Sequence, residues 1–172
     1  MDRDHKKDER CERTARMNGG TLSFLLGYWF VYRFRYMADS NAEGYQFLIT
    51  DGAKEDMGEC ANEDAYAAAY LAAFLQELRG SPAYLERMID EGYSDDRVED
   101  ICGVWSLQDK RINAYRTKFV TIRKWRLIFI VDRPTARIGL FAVMNRDDDY
   151  EANRELWTDI EREFDALGFT RY

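Results

Sequence analysis

The chain has 172 residues, with 25 Lys+Arg against 32 Asp+Glu and a single His, for a formal net charge of -7. That length fits one domain with room for an appended segment, and 46% hydrophobic with 15% aromatic residues excludes a disordered chain. One His (His5) and three dispersed Cys (Cys11, Cys60, Cys102) exclude a zinc motif at ordinary spacing, leave no disulfide framework, point to a reducing, cytoplasmic setting, and argue against Ser-His-Asp or Cys-His chemistry.

No GxxxxGK[ST] or GxGxxG is present, so enzymes built on a nucleotide loop are disfavoured. Residues 1–18 are polar and charged. Thr21 to Tyr32 is an apolar run of 12 residues, followed by Arg33 and Arg35. It is shorter than the roughly 18–20 residues of a membrane helix. The leader before it carries six basic and five acidic residues, and the two arginines intrude before any small-residue cleavage site, so a signal peptide fits poorly. Either this run packs on the domain, or residues 1–36 form an extension that the domain of residues 37–172 does not need. The change in composition at Met37-Ala38-Asp39-Ser40 favours the extension. No membrane partner is expected.

Tyr45 to Thr50 reads as a short strand stopped by Asp51-Gly52. Ala53 to Leu78 reads as one helix, with Tyr66, Tyr70, Phe74 and Leu78 on a core-facing stripe widened by Ala67, Leu71 and Leu75. Ser81 and Pro82 start a second helix that runs to Glu91 and stops at Gly92. The two form a helical hairpin. Residues 93–109 read as acidic and irregular, with a short turn at Arg97 to Cys102.

Three strands follow, at Ala114 to Thr121, Trp125 to Val131 and Ala136 to Asn145. Trp125 to Val131 is nearly all apolar, so it is expected at the centre with both faces covered. The short connections force an antiparallel meander. Tyr150 to Leu167 is an amphipathic helix with Leu156, Trp157, Ile160, Phe164 and Leu167 on one face, closed by Gly168. The expected class is α+β, a small antiparallel sheet packed against a helical hairpin and a C-terminal helix, in the order β-α-α-β-β-β-α.

The charge is uneven along this order. Residues 1–36 carry net +3 and residues 37–172 net -10, yet Lys110 to Arg137 contains nine cations and only one acid, Asp132, for net +8. Such a stretch is either the electrostatic footprint of an anionic partner or a solvated hairpin face. Arg116 and Lys118 alternate onto one face of their strand. Arg126 begins the central strand, Arg146 follows the last one, and Tyr150 opens the helix. A meander can gather these four cations and one phenol into a site for a phosphodiester. Singly, each also reads as a surface, ion-pair or core residue. Asp147, Asp148 and Asp149 offer Arg146 partners, and three adjacent acids rarely converge on one metal ion.

The segments Tyr115-Arg116-Thr117-Lys118-Phe119, Trp125-Arg126-Leu127-Ile128-Phe129 and Ala142 to Tyr150 carry a resemblance. In residue type and order they resemble the RelE/ParE superfamily of bacterial toxins, and within it the RelE-like ribosome-dependent endoribonucleases, or mRNA interferases. The resemblance spans roughly Tyr45 to Leu167. It implies the toxin of a type II toxin–antitoxin pair, cutting mRNA on the ribosome without metal or cofactor. The RNA 2′-hydroxyl attacks the adjacent phosphate to give a 2′,3′-cyclic phosphate. It also implies catalytic roles for Lys118, Arg126, Arg146 and Tyr150, RNA contacts from Arg116, Arg123 and Lys124, and an acidic antitoxin as partner. A ParE-like toxin that grips DNA gyrase, or a non-catalytic protein-binding module on the same fold, are the alternatives.

Overall fold

The computed structural model describes residues 44–147 and 153–172. The apolar run at 21–32, the boundary at Met37 and the expected catalytic Tyr150 lie outside the described residues. The described chain is α+β. Strand β1 (Gln46–Ile49) leads into helix α1 (Asp51–Glu63), α2 (Ala65–Gly80) and the short α3 (Pro82–Arg87). Then come β2 (Val98–Gly103), a single turn α4 (Trp105–Gln108), β3 (Ala114–Phe119), β4 (Trp125–Asp132), β5 (Arg137–Asn145) and α5 (Arg154–Ala166).

The five strands form one sheet in the order β1-β5-β4-β3-β2. Strands β2 to β5 pair antiparallel, as the short connections require, but β1 pairs parallel with β5. The sheet is therefore mixed, not antiparallel throughout. The helices between β1 and β2 carry the chain from one edge of the sheet to the other.

Three further differences have local causes. The expected single helix over Ala53 to Leu78 is two helices, because Asp64 ends one and starts the next. Its N–H donates to the Cys60 carbonyl at 2.7 Å, while its carboxylate caps the Ala67 N–H at 2.9 Å. Tyr66 consequently leaves the core and is 64% exposed, while Leu71, Phe74, Leu75 and Leu78 stay buried. The expected helix to Glu91 stops at Arg87. The stretch read as irregular contains β2, whose register slips between Val98 and Asp100. That slip breaks the period-2 pattern by which a strand is recognised.

Strand β4 is buried on both sides, as its composition requires. Leu127, Phe129 and Val131 join one core with α1, α2 and α3. Ile128 and Ile130 join a second core with Trp157, Ile160 and Phe164 of α5 and with Phe169 beyond it. Edge-to-face aromatic pairs mark each core. Phe74 and Phe119 are 5.0 Å apart in the first, and Phe141 and Phe169 are 5.3 Å apart in the second.

Strand β5 changes phase between Leu140 and Ala142, which pair with consecutive β4 residues Phe129 and Ile128. The extra residue, Phe141, turns into the second core. Gly139 makes the room. A Cβ there would lie 2.6 Å from the Phe141 ring and 3.0 Å from the Leu48 side chain. Gly139→Ala is expected to cost about 1–3 kcal/mol through overpacking, read as a lower urea midpoint with an unchanged slope.

Helix α1 covers the part of β5 that β1 does not reach. Pairing with β1 ends at Leu140, and Asp56 Oδ2 accepts the Val143 N–H at 2.8 Å. Burial pushes the Asp56 carboxyl up from 3.8 to about 6, the Val143 bond opposes that rise, and Glu59, Glu163 and Glu55 reinforce it. Between those two values the folded protein keeps a proton that the unfolded chain has released, so this group's contribution to stability falls as pH rises through that window. Asp56→Asn keeps an acceptor but not the ionisation. The variant is expected to exceed the parent in urea midpoint at neutral pH and to converge with it near pH 4. An unchanged midpoint at neutral pH would count against this assignment.

Candidate functional site

Alternation along β3 sends Tyr115 and Phe119 into the core under α2, and Ala114 to the side of α5. Arg116 and Lys118 share the phase of Ala114, so they continue the α5-side face. On β4, Arg126 shares the phase of Ile128 and Ile130 and lies on that same face. The register aligns them. Lys118 stands opposite Arg126, and Arg116 stands opposite Ile128. Three of the expected cations are therefore neighbours on one face of two adjacent strands. Arg116 is 6% exposed, and Lys118 and Arg126 are each 8% exposed.

Enclosing three cations together is expensive. Each gives up hydration, and a like-charged pair directly across a ladder is destabilising. Part of the compensation comes from β2. Asp100 stands opposite Lys118 and Cys102 opposite Arg116. Asp100 Oδ2 lies 3.8 Å from Lys118 Nζ and accepts the Cys102 thiol at 2.9 Å. One row thus crosses four strands as Asp100, Lys118, Arg126 and Met144. Sequence reading missed Asp100 and Cys102, because their strand was taken for an irregular acidic stretch.

The remaining expected residues sit around the end of this row. Arg146 is exposed just past β5, and its N–H donates to the Lys124 carbonyl at 2.6 Å, continuing the β4–β5 ladder by one step. Arg123 and Lys124 are exposed in the β3–β4 turn. The Arg123 Nε donates to the Val120 carbonyl at 3.1 Å. Lys124 forms an ion pair with Glu63 of α1, which holds its ammonium above the ordinary lysine range. Asp147 is exposed, and its N–H donates to the Asn145 side chain. Tyr150 and its neighbours Asp148 and Asp149 lie outside the described residues.

The basic stretch is not one surface. Lys110 pairs with Glu161 of α5. Arg137 pairs with Asp132 at 2.8 Å, donates to the carbonyls of Leu167 and Gly168 at 2.9 Å each, and lies 4.4 Å over the Phe169 ring. Burial pushes the Asp132 carboxyl up, but hydrogen bonds from Thr135 and Arg137 outweigh it and hold the group below the usual carboxylate range. Arg137 thus fastens the chain after α5 to the sheet and belongs to the fold. Among the described residues, no three His, Cys, Asp or Glu side chains are grouped to hold a metal ion, and no helix is long and apolar enough to cross a membrane.

Comparison of the chain with models of protein families, with curated proteins and with solved structures finds no match in any of the three.

Arg137→Ala leaves the fully enclosed Asp132 without its cation and is expected to cost about 3 kcal/mol, read by urea denaturation. Lys124→Ala, at an exposed pair, is expected to leave the urea midpoint nearly unchanged. Equal effects from the two would contradict this division of the basic stretch.

Proposed function

We propose that this protein acts on RNA as a RelE-like toxin, a ribosome-dependent endoribonuclease whose site is the Arg116, Lys118 and Arg126 face. One observation carries the reading: three cations share one face of adjacent strands in a chain of net charge -7. A purely structural sheet would place apolar side chains there at lower cost. A phosphodiester repays the cost of keeping the cations together, because its transition state gathers negative charge on the non-bridging oxygens.

The substrate phosphate enters this reading at the end of the sheet where Arg123, Lys124 and Arg146 are exposed. Arg116, Arg123 and Lys124 position the backbone electrostatically, while Arg126 and Arg146 stabilise the five-coordinate phosphorus. The 2′-hydroxyl attacks, and a 2′,3′-cyclic phosphate and a 5′-hydroxyl result. The ribosome supplies alignment of the scissile bond, which is worth several orders of magnitude in rate. The partner expected in the cell is an antitoxin with an acidic segment complementary to these cations.

A second reading is favoured by the small exposure of Arg116 and Arg126. Enclosed cations also serve a fold whose work is gripping a protein, such as DNA gyrase, without cutting RNA. Arg126→Ala separates the two. In the first reading it lowers cleavage of ribosome-bound mRNA by about 100-fold or more while the circular dichroism spectrum is retained. Absence of cleavage by the parent protein, with inhibition of gyrase supercoiling, would replace the first reading by the second.

A further inference from the structure

Cleavage by an internal 2′-hydroxyl needs one group to take the 2′ proton and another to protonate the departing 5′ oxygen. The chain has one His, His5, outside the described residues. Lys and Tyr have reference pKa values near about 10, so at neutral pH they donate protons more readily than they accept them. A carboxylate beside cations stays ionised at neutral pH and can accept one.

We infer that Asp100 is the general base of this site and Lys118 its general acid, an inference that rests on the RNA-cleaving reading above. Asp100 occupies the same cross-strand row as Lys118 and Arg126. Its Oδ2 accepts the Cys102 thiol at 2.9 Å, so the carboxylate is oriented as an acceptor on the cationic face. The Asp100 side chain is 23% exposed against 10% for Lys118, so the base is the more open member of the pair toward an arriving hydroxyl.

The step balances without a co-reactant. Asp100 takes the 2′ proton as the 2′-oxygen to phosphorus bond forms. The bond from phosphorus to the 5′ oxygen breaks, and that oxygen takes a proton from the Lys118 ammonium. Asp100 is then a neutral acid and Lys118 a neutral amine. Their atoms stand 3.8 Å apart, and transfer of the proton from acid to amine restores both.

The test is single-turnover cleavage of mRNA held on ribosomes, measured from pH 5 to 9, with the natural 5′-oxygen leaving group and with sulfur in its place. A thiolate leaves without protonation. Lys118→Met is expected to lose about 100-fold on the oxygen substrate and to recover most of it on the sulfur substrate. Asp100→Asn is expected to lose about 100-fold on both, together with the acid limb of the pH profile. Binding of a 2′-deoxy oligonucleotide, which cannot react, should change little in either variant. Asp100→Glu keeps a carboxylate and should keep the acid limb at reduced rate, which covers the case in which Asp100→Asn folds poorly. Retention of activity within about threefold in Asp100→Asn, with loss in Arg126→Ala, overturns this assignment and leaves the RNA-cleaving reading standing. A parent protein that cuts neither substrate removes both.

Discussion

Strand β4 must be covered on both faces, because from Leu127 to Val131 it places apolar side chains alternately on one side and the other. A sheet with helices on one side only would leave Ile128 and Ile130 in water. Each such side chain is worth about 1.5–3 kcal/mol when buried. The fold therefore needs the helical layer of α1 to α3 and also α5, and it needs β3 and β5 to flank β4. Parallel pairing of β1 at the outer edge of β5 follows from the same demand. It puts Phe47 within 6.2 Å of Phe129 and starts α1 beside Glu163 of α5, which accepts the Gly52 N–H at 2.8 Å.

This two-sided core also explains where the cations can lie. α5 covers the face beside β4 and β5 through Trp157, Ile160 and Phe164. Toward the β3–β4 turn the same face changes from Ile128 and Ile130 to Arg126, and from Ala114 to Arg116 and Lys118. The boundary between apolar and cationic side chains thus falls within single strands. The net +8 of the basic stretch is divided among different tasks: Arg137 anchors the end of the chain, Lys110 and Lys124 pair with helices, and Arg116, Lys118 and Arg126 gather on one face of β3 and β4. Asp100 tempers that row from the neighbouring strand, so the site has an acceptor of protons as well as donors.

Sequence periodicity revealed the parts of this architecture that are locally encoded. Strands β3, β4 and β5, the α5 face through Trp157, Ile160 and Phe164, and the cap and proline at Ser81 and Pro82 were legible because each follows a single period or a single cap. The shared face of Arg116 and Lys118 was legible for the same reason, while that of Arg126 needed the β3–β4 register. What was missed depends on relations between segments. Asp64 is followed by an alanine-rich run of strong helix formers that masks it, and its simultaneous bonds to Cys60 and Ala67 make it a break. The parallel edge of β1 depends on a pairing across about 90 residues. β2 hides behind Glu99, Asp100 and a register slip, so Asp100 entered the site only through its alignment with Lys118.

The phase of β5 decides whether Arg146 belongs with the other cations. Before the bulge, Ile138 and Leu140 face the helices α1 to α3. After it, Ala142 and Met144 face α5. An unbroken strand would keep all even-numbered positions on the first side, opposite to Arg126. Phe141 absorbs one extra residue and reverses that phase, so Met144 stands beside Arg126 on its own face, and the ladder from Arg146 to Lys124 carries the reversed phase one step further. The reversal is possible because Gly139 has no Cβ to meet the Phe141 ring. A packing requirement in the second core thereby sets which side of the sheet the end of β5 presents to the cationic row.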